Sequence, residues 1–145
     1  MPELYIEIIT PYKITFSGGA KSITIPGTIG SFQVLFNHAP LISTFEIGLV
    51  KVNIDNTKTL FFATGGGTVE VNKNNVLVLA DSLEDAASID VERAGRAMER
   101  AKQRIEGKIP ATDLDRARAA LKRAVNRIQI VEKYLPKDSV NSRLQ

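Results

Sequence analysis

Val76-Leu77-Val78-Leu79-Ala80-Asp81-Ser82-Leu83-Glu84-Asp85-Ala86-Ala87-Ser88-Ile89-Asp90-Val91-Glu92-Arg93-Ala94 contains the end of one kind of structure and the start of another. Its first five residues are a short unbroken aliphatic run of strand length, closed by acidic and small residues. Beyond Ser88 the apolar positions are spaced differently. Ala94, Ala97, Met98, Ala101 and Ile105 recur at three and four residues, the stripe of an amphipathic helix. The chain is therefore read as a strand-built part and a helix-built part that meet near residue 87.

Outward toward the N-terminus the pattern stays strand-like. Leu4, Ile6 and Ile8 alternate with Tyr5, Glu7 and Ile9, so the two faces of that strand carry different surfaces. Further β-branched or aromatic runs lie at Ser22–Pro26, Phe32–Phe36, Leu49–Ile54, Lys58–Ala63, Thr68–Val71 and Val76–Ala80. Ser17-Gly18-Gly19, Pro26-Gly27, Asp55-Asn56, Gly65-Gly66-Gly67 and Asn74-Asn75 separate them. Many short strands at this spacing predict a β-sandwich or flattened barrel. Toward the C-terminus, Ser88 is the expected cap of a first helix, and Gly107 and Pro110 end it. Thr112 with Asp115 reads as a capping box for a second helix. Its stripe is Leu114, Ala117, Leu121, Ala124, Ile128, Val131 and Leu135. Two such helices joined by a short loop form an antiparallel hairpin. Its alanine-rich seam buries little area, so the hairpin is expected to close tightly but hold weakly, as a detachable module.

Composition supports the division. The net charge of +3 is the sum of −3 over residues 1–87 and +6 over residues 88–145. All nine arginines follow residue 87, and eight of the nine aromatics precede it. The 145 residues are 43% hydrophobic and 24% charged, which fits a globular chain of one domain or two small ones. The absence of cysteine excludes thiolate metal sites and cysteine nucleophiles, and the single histidine argues against the usual zinc sets. The start Met1-Pro2-Glu3-Leu4 shows no secretory pattern and no run is long enough to span a bilayer, so a soluble, intracellular protein is expected.

Few residues suggest chemistry. Gly65-Gly66-Gly67 lies between strands without a following Lys-Ser/Thr or helix, so it reads as a turn or bulge rather than a phosphate loop. His38 reads as a loop-packing or interface residue, and Asp81 and Asp85 as part of a solvated linker. No nucleophile, base and orienting group fall together, which argues against independent catalysis. The arginines carry more information. Arg93 and Arg100 share a face of the first helix, and Arg123 and Arg127 one of the second. Closing the hairpin brings four guanidiniums together, an arrangement that a polyphosphate would relieve. Spacing alone favours the plainer alternative, a solvated basic face with local pairs such as Glu92 to Arg96. A nucleic-acid-binding module using the basic hairpin is the competing function, but its aromatics lie in the acidic half, away from the arginines.

From Leu4 to Glu132 the chain resembles the epsilon subunit of bacterial F-type ATP synthases. The resemblance is carried in order by Ile9-Thr10-Pro11, Phe16-Ser17-Gly18, Ile25-Pro26-Gly27-Thr28-Ile29-Gly30, His38-Ala39-Pro40-Leu41, Gly66-Gly67-Thr68-Val69-Glu70-Val71 and Val76-Leu77-Val78-Leu79-Ala80-Asp81. It implies a ten-stranded β-sandwich over residues 1–87, a regulatory helical hairpin over 88–135 and a flexible polar tail over 136–145. It also implies a non-catalytic central-stalk subunit that couples c-ring rotation to ATP synthesis. Such a subunit is peripheral on the cytoplasmic face of a bacterial cell membrane, without direct insertion. The implied partners are the gamma subunit, the c-subunit ring and, with the hairpin extended, the alpha and beta subunits; nucleic acid is not among them. The extended hairpin impedes ATP hydrolysis, and Arg116, Lys122, Arg123 and Arg127 are its expected contacts with beta. Ser31, His38, Gly66 and Gly67 are expected at the stalk or c-ring surface. Some members bind ATP on the compact hairpin through an Ile/Leu-Asp-x-x-Arg-Ala motif, matched here by Ile89-Asp90-Val91-Glu92-Arg93-Ala94. The remaining family contacts fall on Glu84, Arg100, Arg123 and Arg127. The resemblance thus reverses the preference for a merely solvated face. It implies no metal and no required cofactor, with ATP as a regulatory ligand.

The chain departs from the family at four places. Ser31 stands where an acid is common, Asn37 where Gly is frequent, Gly65 where Ser is common and Thr68 where an apolar residue is common. Asn37 is a mild change because Asn tolerates left-handed backbone.

Overall fold

The computed structural model describes residues 3–107 and 109–135, so the expected tail over 136–145 lies outside the described residues. The chain forms two compact units, one ending at Asp85 and the other beginning at Ala86. The first holds eight strands: β1 (Leu4–Ile9), β2 (Ile14–Ala20), β3 (Ser22–Pro26), β4 (Ser31–Leu35), β5 (Leu41–Asn53), β6 (Thr59–Asn72), β7 (Asn75–Ala80) and β8 (Leu83–Asp85). The second holds a 3-10 turn (Ala86–Ser88), then α1 (Val91–Glu106) and α2 (Ala111–Tyr134).

The strands form one sheet in the order β2-β1-β7-β6-β5-β3-β4, with β8 added beside β6. Two long strands make the sandwich possible. β5 and β6 pair antiparallel over almost their whole length, from Leu41↔Val71 to Asn53↔Thr59. The later half of β6, Gly67–Asn72, pairs with β7, and its earlier half, Phe62–Thr64, pairs with β8. The later half of β5 pairs with β3. Each long strand thus belongs first to one half of the sheet and then to the other, and counting both twice recovers the ten expected strands. Leu4, Ile6 and Ile8 of β1, Ile23 and Ile25 of β3, Val50 and Val52 of β5 and Val69 and Val71 of β6 meet in one core, all essentially inaccessible. Each such side chain contributes about 1.5–3 kcal/mol on leaving water.

Gly65-Gly66-Gly67 is the main correction to the sequence reading. All but Lys58 of the run Lys58–Ala63 and the whole of Thr68–Val71 are parts of a single strand, and the glycines continue it without turning. Gly66 has φ +100, which only glycine adopts without strain, and the ladder skips one pair between Phe45↔Gly67 and Ile47↔Gly65. The Gly66 amide donates instead to Thr64 Oγ1 at 3.2 Å, and its carbonyl accepts from the Asp81 amide at 2.8 Å. Three glycines do mark a distortion, but one that lets a strand pass between the two halves of the sheet.

Two turns show their chemistry plainly. Lys73 and Asn74 both have positive φ, 49° and 67°, as a two-residue turn between β6 and β7 requires. Asn37, at φ +64, adopts the left-handed conformation expected of it; its amide donates to Asn74 Oδ1 at 2.7 Å. Between β5 and β6, the Thr57 hydroxyl and the amides of Thr57 and Lys58 donate to Asp55 and hold its carboxyl below the ordinary value of 3.8.

In the second unit the caps differ from expectation. Asp90, not Ser88, caps α1: its carboxylate accepts from the Arg93 amide at 3.0 Å, placing negative charge at the helix's positive end. Thr112 and Asp115 lie inside α2, which begins after Pro110 with no side-chain cap. Proline's fixed φ makes it a good preface to a helix, so no capping box is needed. The seam itself is alanine, with Ala94, Ala101, Ala117 and Ala124 buried and Ala97, Met98, Leu114, Leu121 and Ile128 only half-buried. Gly95 sits inside α1 with open space where a Cβ would stand. Gly95→Ala should therefore stabilise the hairpin by about 1 kcal/mol, from helix propensity alone. Slower amide exchange in α1 checks this; unchanged or faster exchange counts against it.

Candidate functional site

The sequence-predicted residues fall into three places. The first is a shallow groove of about 530 Å³ at one end of the sandwich, lined by Gly27, Ile29, Ser31, Phe32, His38 and Ser43 among others. Ser31 opens β4 and is exposed, and His38 is half-buried. His38 Nδ1 lies 2.7 Å from the Ala39 carbonyl; since that oxygen only accepts, Nδ1 must carry the proton. Ser31 and His38, seven residues apart in sequence, therefore share one surface. Ile29, at the tip of the Gly27–Gly30 turn, is fully exposed. Sequence reasoning used Ile29 only as part of a motif. The available signal was an isoleucine in a turn too tight to bury it. Gly66 and Gly67, grouped with these two in the sequence reading, lie instead within β6, and Gly66 is buried.

The second place is the outward face of the half-sheet β2-β1-β7-β6-β5. Register puts Ile14, Ile9, Leu79, Thr68 and Thr44 in one row across it. The next row is Ser17, Glu7, Leu77, Glu70 and Ile42. Ile14, Ile42 and Leu79 are exposed. A solvated sheet face would be polar, so this is the kind of surface a partner covers. The second, outward set of the alternation (Ile9, Leu77, Leu79) was its sequence signal.

The third place is the hairpin. Arg93, Arg100 and Arg123 directly precede the buried seam residues Ala94, Ala101 and Ala124. In an antiparallel pair of right-handed helices, the residue before a seam position falls on the same side of both helices. Arg127, three after Ala124, leans to that side as well. Ala94 and Ala101 are spaced like Ala124 and Ala117, and with α1 ending at Glu106 and α2 starting at Ala111 the antiparallel register that fits both sets Ala94 opposite Ala124. Arg123 and Arg127 then lie roughly 3 Å above and below the level of Arg93, at 1.5 Å per residue. Arg100 lies two turns further along. Arg93, Arg100 and Arg123 are exposed and have no carboxylate partner among the described residues. Two ion pairs within α1, Glu92 to Arg96 and Glu99 to Lys102, are long surface contacts of 4.0 and 3.9 Å.

The motif residues divide by role. Ile89 and Ala94 are buried, Asp90 is exposed as the α1 cap, and Arg93 is the one exposed cation of the four. Glu84 lies on β8, half-buried, opposite Ala63. Arg116 precedes Ala117 and shares the arginine face; Lys122 is exposed next to Arg123. No group of three or more metal-ligating side chains occurs among the described residues.

Comparison with known proteins now bears on this arrangement. The family model for the β-sandwich domain of the ATP synthase delta/epsilon chain matches residues 3–86, and that for its long α-helix domain matches residues 88–132. The chain belongs to the ATP synthase delta/epsilon chain family. Among its relatives, the ATP synthase epsilon chain of Desulforamulus reducens is 39% identical over 127 residues, covering 88% of this chain and 96% of the relative. That of Moorella thermoacetica is 40% identical over 129 residues, covering 89% and 96%. A chain of the Euglena gracilis mitochondrial ATP synthase shares the fold at a TM-score of 0.77 and 17% identity, covering all of this chain and 83% of its own. In this delta/epsilon family member, the boundary between the two matched domains coincides with the 3-10 turn. No helix among the described residues is long and apolar enough to cross a membrane.

Proposed function

We propose that this chain is the non-catalytic epsilon subunit of an F-type ATP synthase: its sandwich anchors it to the central stalk and its hairpin restrains ATP hydrolysis. One observation carries the regulatory half of the proposal. A helix pair closed mainly by alanine presents Arg93, Arg100 and Arg123, exposed and without carboxylate partners among the described residues, on a unit distinct from the sandwich. Such a unit separates from itself at small cost, and its charge suits an acidic surface. On this reading Arg116, Lys122, Arg123 and Arg127 face the beta subunits when the hairpin extends. When it is closed, Arg93, Arg100, Arg123 and Arg127 bind the phosphates of ATP.

Both the outward apolar face of the half-sheet and the Ile29 groove are available for the stalk partners. The reading assigns the broad face to the gamma subunit and the groove, with Ser31 and His38, to the c ring. An exposed isoleucine at a turn tip suits a small apolar contact, while the two rows across five strands suit a wider interface. The site of action is the cytoplasmic face of a bacterial membrane.

The test is ATP hydrolysis by the matching catalytic head stripped of this subunit. Full-length chain should slow hydrolysis severalfold or more; a chain ending at Ala87 should bind equally well and leave the rate unchanged. If both bind and neither slows the head, the inhibitory role is wrong. If neither binds, the stalk assignment fails.

A further inference from the structure

The helices of the hairpin are unequal. α1 has 16 residues and α2 has 24. With Ala94 opposite Ala124 and Ala101 opposite Ala117, the start of α1 at Val91 falls level with Arg127. The last two turns of α2 therefore run past the beginning of α1. An overhanging end of a helix has no helical partner, and its apolar residues would be exposed unless something else in the unit covered them. Yet Ile130 and Val131, both in the overhang, are among the least accessible residues of the chain, at 3% and 0%.

Ile130 was not part of the stripe read from the sequence. It lies one residue off the three-four pattern that includes Val131, so its burial points to a second surface packed on this end of α2. The segment at that level is Ala86–Ile89. Its 3-10 turn packs against α2, the Ile89 amide donates to the Ala86 carbonyl at 3.3 Å, and Ala86 and Ile89 are each 1% exposed. Elsewhere the fully buried seam positions hold alanine, while this end gathers Ile89, Ile130 and Val131.

We infer that the Ala86–Ile89 segment is a latch: it closes over the overhanging end of α2, and the hairpin is held shut from this base more than along its seam. The first residue of the Ile89-Asp90-Val91-Glu92-Arg93-Ala94 motif then has its side chain in the closing device. Asp90 follows it directly and caps α1, so the latch and the start of α1 are set together. The latch deepens the reading of a separable hairpin. It also fixes where separation must begin, at the junction with the sandwich and not at the Gly107–Pro110 loop.

Amide hydrogen exchange on the full chain, with no ATP and no other subunit present, tests the latch independently of any inhibitory role. The double variant Ile130→Ala, Val131→Ala should speed exchange tenfold or more through both helices, including residues 111–124 far from the substitution, while β5 and β6 keep their protection. Ile89→Ala, from the other side of the contact, should do the same. Ala117→Ser, at the far end of the seam, should change helix exchange less than threefold. The inference is overturned if the double variant loosens only residues 127–134, or if Ala117→Ser opens the hairpin as much as the base variants do. Should the double variant also unprotect the sheet, Val131→Ala alone decides by the same criterion. Failure of the hydrolysis test with this exchange pattern intact would overturn the brake and leave the latch standing.

Discussion

Gly67→Ala is expected to destabilise the sandwich by about 3 kcal/mol or more, among the largest losses that removing no side chain can produce. At Gly67 the backbone has φ +157, and a Cβ there would overlap the Leu79 carbonyl oxygen and stand 2.9 Å from the Ala80 Cα. Both obstacles are backbone, in the strand that pairs with Gly67 through Ala80. No rotamer change relieves them; β6 and β7 must move apart, and Phe45 on the other side is held by the same ladder. For a unit of this size, each kcal/mol lowers the melting temperature by about 4–8 °C, so a fall of more than about 12 °C is expected. Gly30→Ala is the control. Gly30 also has a positive φ, +154, but nothing stands within 4 Å of its Cβ position. That variant should pay only conformational strain, about 1 kcal/mol. Equal melting temperatures for the two variants would refute the close-approach argument.

The glycine run also shows why some of this fold could be read from sequence and some could not. Alternation of Leu4, Ile6 and Ile8 with their outward neighbours is a local property, and the structure follows it residue by residue. The strand Ser22–Pro26 was placed to the residue for the same reason. Whether Gly65-Gly66-Gly67 turns the chain or lets it pass between the halves of the sheet depends on what pairs on either side, and those partners, Phe45, Ile47 and Ala80, lie more than ten residues away. Long-range pairing overrides the local breaker signal. Ile130 escaped the helical stripe in the same way, because the segment that packs beside its end of α2 comes before α1. On the hairpin, Arg93, Arg100, Arg123 and Arg127 were legible because their spacing is short-range helical geometry. The groove holding Ser31 and His38 was not, since turns carry no period.

Arg93→Ala and Arg127→Ala are each expected to weaken ATP binding tenfold to a hundredfold. A hydrogen bond to a charged group contributes about 1.5–3 kcal/mol, and every 1.4 kcal/mol is tenfold in affinity. Arg93 on α1 and the Arg123–Arg127 pair on α2 approach one level only when the hairpin is closed. A phosphate chain bridging them therefore binds the closed form in preference, and must shift the hairpin toward closure. Arg118→Ala separates a site from a general loss of charge. Arg118 directly follows the buried Ala117, which places it on the opposite side of the pair from the four arginines, yet its removal lowers the charge by the same amount. Calorimetry with the full chain should show Arg118→Ala within about twofold of wild type at 0.15 M salt, where charges a Debye length of about 8 Å away are largely screened. Arg93→Lys should recover only part of the loss, because an ammonium lacks the forked geometry that matches a phosphate. The closing shift has its own readout: ATP should slow exchange in α2 of the wild type and leave that of Arg93→Ala unchanged. If Arg118→Ala costs as much affinity as Arg93→Ala, the arginines attract nucleotide only as a diffuse field and there is no site. If ATP binds but leaves hairpin exchange untouched, the nucleotide does not report through closure, and its regulatory role falls even with the affinity intact.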